Sequence, residues 1–193
     1  MDPGWCCGRA VREHPVSGAP VRPTPAGGDC WRCSIFGATA IGVGSLGRYH
    51  LIRLHAPSVA AAVGAVHNII AGALFTGMAL VQLAVRARAP EGARDLVGVW
   101  LDLDVAWDVY IGLGTLVFAW AMRSHPRYRW AFAAPGLALG LLVIVVNLMP
   151  FPVPPAEAGS FDVGPFVGLW YLAATIQAWR SLPWARQRCR PAA

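Results

Sequence analysis

Three aspartates stand in the stretch WLDLDVAWDVY at 100–110, and the residues that follow, IGLGTLVFAWAM, are apolar throughout. An ionised carboxylate in the middle of a bilayer costs about 2.5–3.5 kcal/mol on insertion scales, so such residues are rare and often functional. Asp104 and Asp108 are four apart and share a helix face. Asp102 is about 200° round the helix from Asp104 and points elsewhere. If the span is 96–122, Asp108 sits at its middle and Asp104 about 6 Å nearer one end. Partners at similar depth are His67 and Asn68 within the apolar run 57–85, and Asn147 within 130–149. Asp108, His67, Asn68, Asp104 and Asn147 therefore make a candidate intramembrane polar network. A carboxyl beside an imidazole inside a bilayer is the chemistry of a proton or cation relay. The same groups equally suit an interhelical hydrogen-bond clamp. Gly112 and Thr115 continue the Asp104–Asp108 face.

Other reactive side chains carry weaker patterns. Cys6-Cys7 and Cys30-Trp31-Arg32-Cys33 give four thiols with His14 between them, but only one pair has the two-residue spacing of a zinc knuckle. Glu157 and Asp162 lie in the proline-rich stretch 150–165, where they suggest a hard-cation site with Asp102, or, for Asp162, a helix cap. There is no G-x-S-x-G, H-E-x-x-H or P-loop motif. All 16 basic residues are Arg, which excludes Schiff-base chemistry on a lysine. The expectation is a chain that is not an enzyme and holds no metal or cofactor.

The elements that must position these residues follow from composition. Of 193 residues, 56% are hydrophobic and 13% charged, about half the charge of a typical soluble domain. The lipid bilayer is therefore the expected partner. The net charge of +6 comes from arginines that punctuate apolar runs rather than cluster, which argues against nucleic acid. The fold class expected is an all-α integral membrane bundle with spans at about 57–85, 96–122, 130–149 and 162–179. Residues 1–33, rich in Pro, Gly and Arg, read as a disordered extension or a mis-assigned start. Residues 34–56 read as a short apolar or interfacial segment, and 180–193 as a basic cytoplasmic tail. Gly136-x-x-x-Gly140 offers a small-residue face for close helix approach.

Arginine placement puts both termini in the cytoplasm, because Arg48, Arg53, Arg123, Arg127, Arg129 and the tail arginines share one side. A fifth span at 34–52 would move the N-terminus outside. The run from WLDLDVAWDVY through FPVPPAEAGSFDVGPFVGLWYLA resembles small multi-pass inner-membrane proteins of actinobacteria and related bacteria, a group without assigned activity. The resemblance extends over about 50–179. It implies a polytopic membrane protein, with more than four spans usual, and no catalytic residue. The function expected is a non-enzymatic membrane subunit, sensor or accessory component, able to form a homo-oligomer. The alternative is a small transporter or proton-coupled carrier using Asp108 and His67.

Overall fold

A computed structural model of the chain describes residues 26–87, 90–148 and 163–189, and every regular element among them is a helix. α1 runs Ala26–His55, α2 Val59–Ala87, α3 Pro90–Met122, α4 Arg129–Leu148, α5 Gly164–Arg180 and α6 Leu182–Arg188. All of the segment 34–56 except Ala56 lies inside the thirty-residue α1, which also takes in 26–33 of the extension expected to be disordered, and part of the expected tail is helical as α6. Cys6, Cys7, His14, Glu157 and Asp162 lie outside the described residues.

Local chemistry sets the helix ends. Pro57 and Ser58 separate α1 from α2, and Ser58 Oγ accepts the Ala61 N–H at 3.1 Å, capping α2. Between α3 and α4 the chain turns through His125 and Pro126, with Tyr128 and Arg129 N–H groups both donating to His125 O. Arg129 takes a left-handed φ of 54° at the point where α4 begins. α5 starts after Val163 with Pro165 in its first turn, where a missing N–H costs nothing. Ser181 closes α5 by donating its backbone N–H to Gln177 and Ala178 carbonyls, and α6 follows at once.

Three helices are long and apolar enough to cross a membrane: Val59–Val85, Leu96–Met122 and Arg129–Asn147. Their outer surfaces carry large apolar side chains that water would not tolerate in bulk, among them Leu80, Leu113, Leu141 and Val145. Phe118, Ile111, Met122, Tyr128 and Val143 are buried between helices. The Gly136-x-x-x-Gly140 face is where α4 meets its neighbours. A Cβ added at Gly140 would sit 2.8 Å from Gly112 O and 2.9 Å from Leu116 N, and one at Gly136 would run into Trp170 and Ala119. α3 and α4 thus approach backbone to backbone, as small-residue faces allow.

The ends of α1, α3 and α5 and the starts of α2 and α4 fall at one end of this up-and-down arrangement. Arg53, Arg123, Arg127, Arg129, Arg180, Arg186 and Arg188 are exposed there. The sequence has no Asp or Glu at 30–90, at 109–156 or after 162, so these arginines face no carboxylate from their own segments.

Candidate functional site: a polar cluster around a buried arginine

Arg48 is the most unexpected side chain in the bundle. It was expected among the loop charges, yet it is 2% exposed and points between helices. The reason is helical phase: Ile41, Ser45, Arg48 and Ile52 recur every three or four residues along α1, so Arg48 lies on the stripe that packs inward. Its Nη1 donates to Thr175 Oγ1 on α5 and its Nη2 to Ser45 Oγ, both at 2.9 Å. The guanidinium carbon lies 4.6 Å from the Tyr171 ring centroid and 5.8 Å from that of Phe118. Aromatic faces supply negative quadrupole where a carboxylate would be the usual partner. Nε has no hydrogen-bond partner.

The remaining polar groups link four helices. Asn68 Nδ2 on α2 donates to Ser45 Oγ at 3.0 Å, and Ser45 Oγ donates onward to Ile41 O at 2.7 Å. Tyr171 OH on α5 donates to Asn68 Oδ1 at 2.9 Å. Thr115 Oγ1 on α3 lies 3.1 Å from Tyr171 OH and 2.7 Å from Ile111 O. A hydroxyl has one proton. With the tyrosine proton on Asn68, the single threonine proton serves Ile111 O or Tyr171 OH but not both, and the order that the other bonds fix is Tyr171 to Asn68 to Ser45 to Ile41 O. Such a chain polarises its members in one sense.

Depth agrees across the four helices. Arg48 is about 10 Å from the His55 end of α1, and Asn68 about 14 Å from the Val59 end of α2. Thr115 is about 10 Å from the Met122 end of α3, and Tyr171 about 14 Å from the Arg180 end of α5. Close helix approach makes the cluster geometrically possible. A Cβ at Gly114 would collide with Asn68 Oδ1 and lie 3.3 Å from His67 Cβ, so α3 presents bare backbone to the asparagine.

Of the residues that the sequence offers for a polar network, Asn68, Tyr171 and Thr175 meet in this cluster. His67, the neighbour of Asn68, is half-buried; its Nδ1 lies 2.9 Å from Val63 O on its own helix, and its ring packs 5.7 Å from that of Tyr110. Asn147 donates from Nδ2 to Val143 O, also within its own helix. Asp102 is exposed. Asp104 and Asp108 are half-buried, and neither is without an interaction partner. Thr115, expected as a continuation of the aspartate face, is fully buried and joins Tyr171. Among the described residues no three His, Cys, Asp or Glu side chains gather as a metal site, and Cys189 is an exposed free thiol.

Comparison with known protein families, with characterised proteins and with solved structures finds no match for this chain.

Proposed function

We propose that this chain is a polytopic inner-membrane protein of the non-enzymatic kind, a subunit, sensor or accessory component, whose polar cluster locks its helices into one arrangement. The single observation that carries the reading is that four side-chain links in the cluster join different helices: Arg48 to Thr175, Asn68 to Ser45, Tyr171 to Asn68 and Thr115 to Tyr171. A relay needs one group left to take and release a proton, whereas here the hydroxyls and the amide are engaged with one another. His67, the relay candidate, is turned to Val63 O of its own helix.

In the same reading α5 is a fourth span and α1 a fifth. α1 is long enough at 30 residues, and its Ser45 meets Asn68 well inside α2. Arginine placement then puts the C-terminus in the cytoplasm and the N-terminus outside. A homo-oligomer suits a bundle this small.

A double-mutant cycle on Arg48→Met and Thr175→Val in detergent tests the clamp. Thermal unfolding should give a coupling energy of about 0.6–1.7 kcal/mol, the range of intramembrane hydrogen bonds. A coupling near zero, with both single variants as stable as the parent, would remove the clamp.

A further inference from the structure

The exposed arginines at the ends of α1, α3 and α5 have no carboxylate among the described helices to balance them. The last acid of α3 is Asp108, about 21 Å short of Met122, and no Asp or Glu follows Asp162. Like charges gathered in this way raise a positive potential over that face. They fall into two sets by what stands beside them.

One set forms a rim. The Arg123 guanidinium lies 3.7 Å from the centre of the exposed Trp120 ring, and Arg129 and Arg180 adjoin the exposed Trp130 and Trp179. Exposed tryptophans mark the lipid boundary, where headgroup phosphates balance nearby arginines. The other set is Arg186 and Arg188, on α6. After Ser181 the chain folds back, and α6 packs against both α1 and α5. Ala185 is buried, Trp184 meets the His125 ring, and the Arg188 guanidinium carbon lies 5.4 Å from the Trp184 centroid. His125 in turn meets His55. His55, His125, Trp184 and Arg188 thus form a column that crosses the end of the bundle from α1 to α6. Gln177 Nε2 donates to Arg127 O at 2.7 Å, which ties the α3–α4 turn to α5 and steadies the base of the column.

We propose that this end of the bundle is a docking surface for an acidic, carboxylate-rich segment of a soluble protein, with Arg186 and Arg188 at its centre. Headgroups surround the edge of a bundle, whereas a soluble carboxylate reaches its end face. A guanidinium held on an aromatic ring keeps its planar fork ready for a carboxylate and loses less freedom on pairing. Trp184 is already engaged by His125 and Arg188, so it offers no free face for a nucleic-acid base to stack upon. The inference rests on the reading of the chain as a membrane subunit or accessory component, and it names the chemistry of the partner.

The test uses the full chain in phosphatidylcholine nanodiscs and a fluorescent Glu-rich peptide, with binding read by anisotropy at physiological salt, where charges act over about 8 Å. The peptide should bind saturably. Arg186→Gln combined with Arg188→Gln should weaken it about tenfold, the worth of two ion pairs at an exposed face. Arg129→Gln combined with Arg180→Gln, on the rim, should weaken it by no more than about twofold. All four positions are exposed, so circular dichroism should match the parent in both double variants. Absence of saturable binding, or equal losses in the two double variants, overturns the docking surface. Tighter binding of a single-stranded RNA of equal charge overturns the protein partner in favour of nucleic acid. Loss of peptide binding when phosphatidylglycerol is added to the disc overturns it in favour of lipid. A nanodisc exposes both faces, so the result does not depend on which end is cytoplasmic; a reporter fused to the C-terminus tests that reading separately.

Discussion

His125 sits where the ends of three segments meet. Its ring packs against His55 of α1, Tyr128 of its own turn and Trp184 of α6, at centroid distances of 5.4, 5.2 and 5.2 Å. Nδ1 accepts the Arg127 N–H at 3.2 Å. Burial, reinforced by the neighbouring His55 and by Arg127, pushes the imidazole from 6.5 down to about 4, against a smaller opposing pull from the Leu51 backbone. Above 6.5 the ring is neutral whether the chain is folded or not, and it contributes no pH dependence. Between 6.5 and 4 the unfolded chain binds the extra proton, so stability falls as pH falls through that window and levels off below it. The expected slope in detergent is at most one proton's worth, about 1.4 kcal/mol per pH unit, and His125→Phe should flatten it. A slope unchanged in that variant would mean that other groups set the acid sensitivity. Residue type alone made Asn68 legible, because an amide in an apolar run stands out. Arg48 was hidden by its setting: next to His50, Arg53 and His55 it reads as one more flanking charge. Only the phase of Ile41, Ser45, Arg48 and Ile52 distinguishes an inward arginine from a solvated one.

At the level of the helix, glycine positions separate contact from open space. In α3, Gly98 has nothing within 4 Å of where a Cβ would be, while Gly114 has the Asn68 side chain there. Gly98→Ala should stabilise by about 0.5–1 kcal/mol, from helix propensity alone. Gly114→Ala should destabilise by about 1–3 kcal/mol, because Asn68 must move and loosen its bond to Tyr171. Thermal unfolding of the two variants side by side checks both signs. If Gly114→Ala is as stable as Gly98→Ala, α2 and α3 do not meet as closely as described. The apolar runs were legible in the sequence for the three spanning helices, to within a few residues at most ends. α3 begins at Pro90 rather than near 96, and α1 was not legible as one helix. Glycines and charges interrupt its apolar pattern, and its inward stripe is narrow, so tertiary contact with α2 and α5 rather than periodicity defines it.

For the whole molecule, an odd number of crossings has a direct signature. Fused to the C-terminus, green fluorescent protein should be bright and alkaline phosphatase inactive in a bacterial host. The same phosphatase fused ahead of residue 26 should be active. Activity at neither end would restore an even number of spans with both termini inside. Three helices are long and apolar enough to cross a membrane, and α1 and α5 are not among them, for different reasons. α1 carries buried polar groups. α5 has only 17 residues, which reach about 26 Å, against about 30 Å of hydrocarbon. If α5 crosses as the proposed fourth span, that shortness gives the bundle one thin flank. The bilayer would then pinch inward beside α5 or the helix would shift along its axis, and α5 carries Tyr171 and Thr175 toward Arg48. Acyl-chain length in the surrounding leaflets would thereby be mechanically coupled to the registry of the buried arginine.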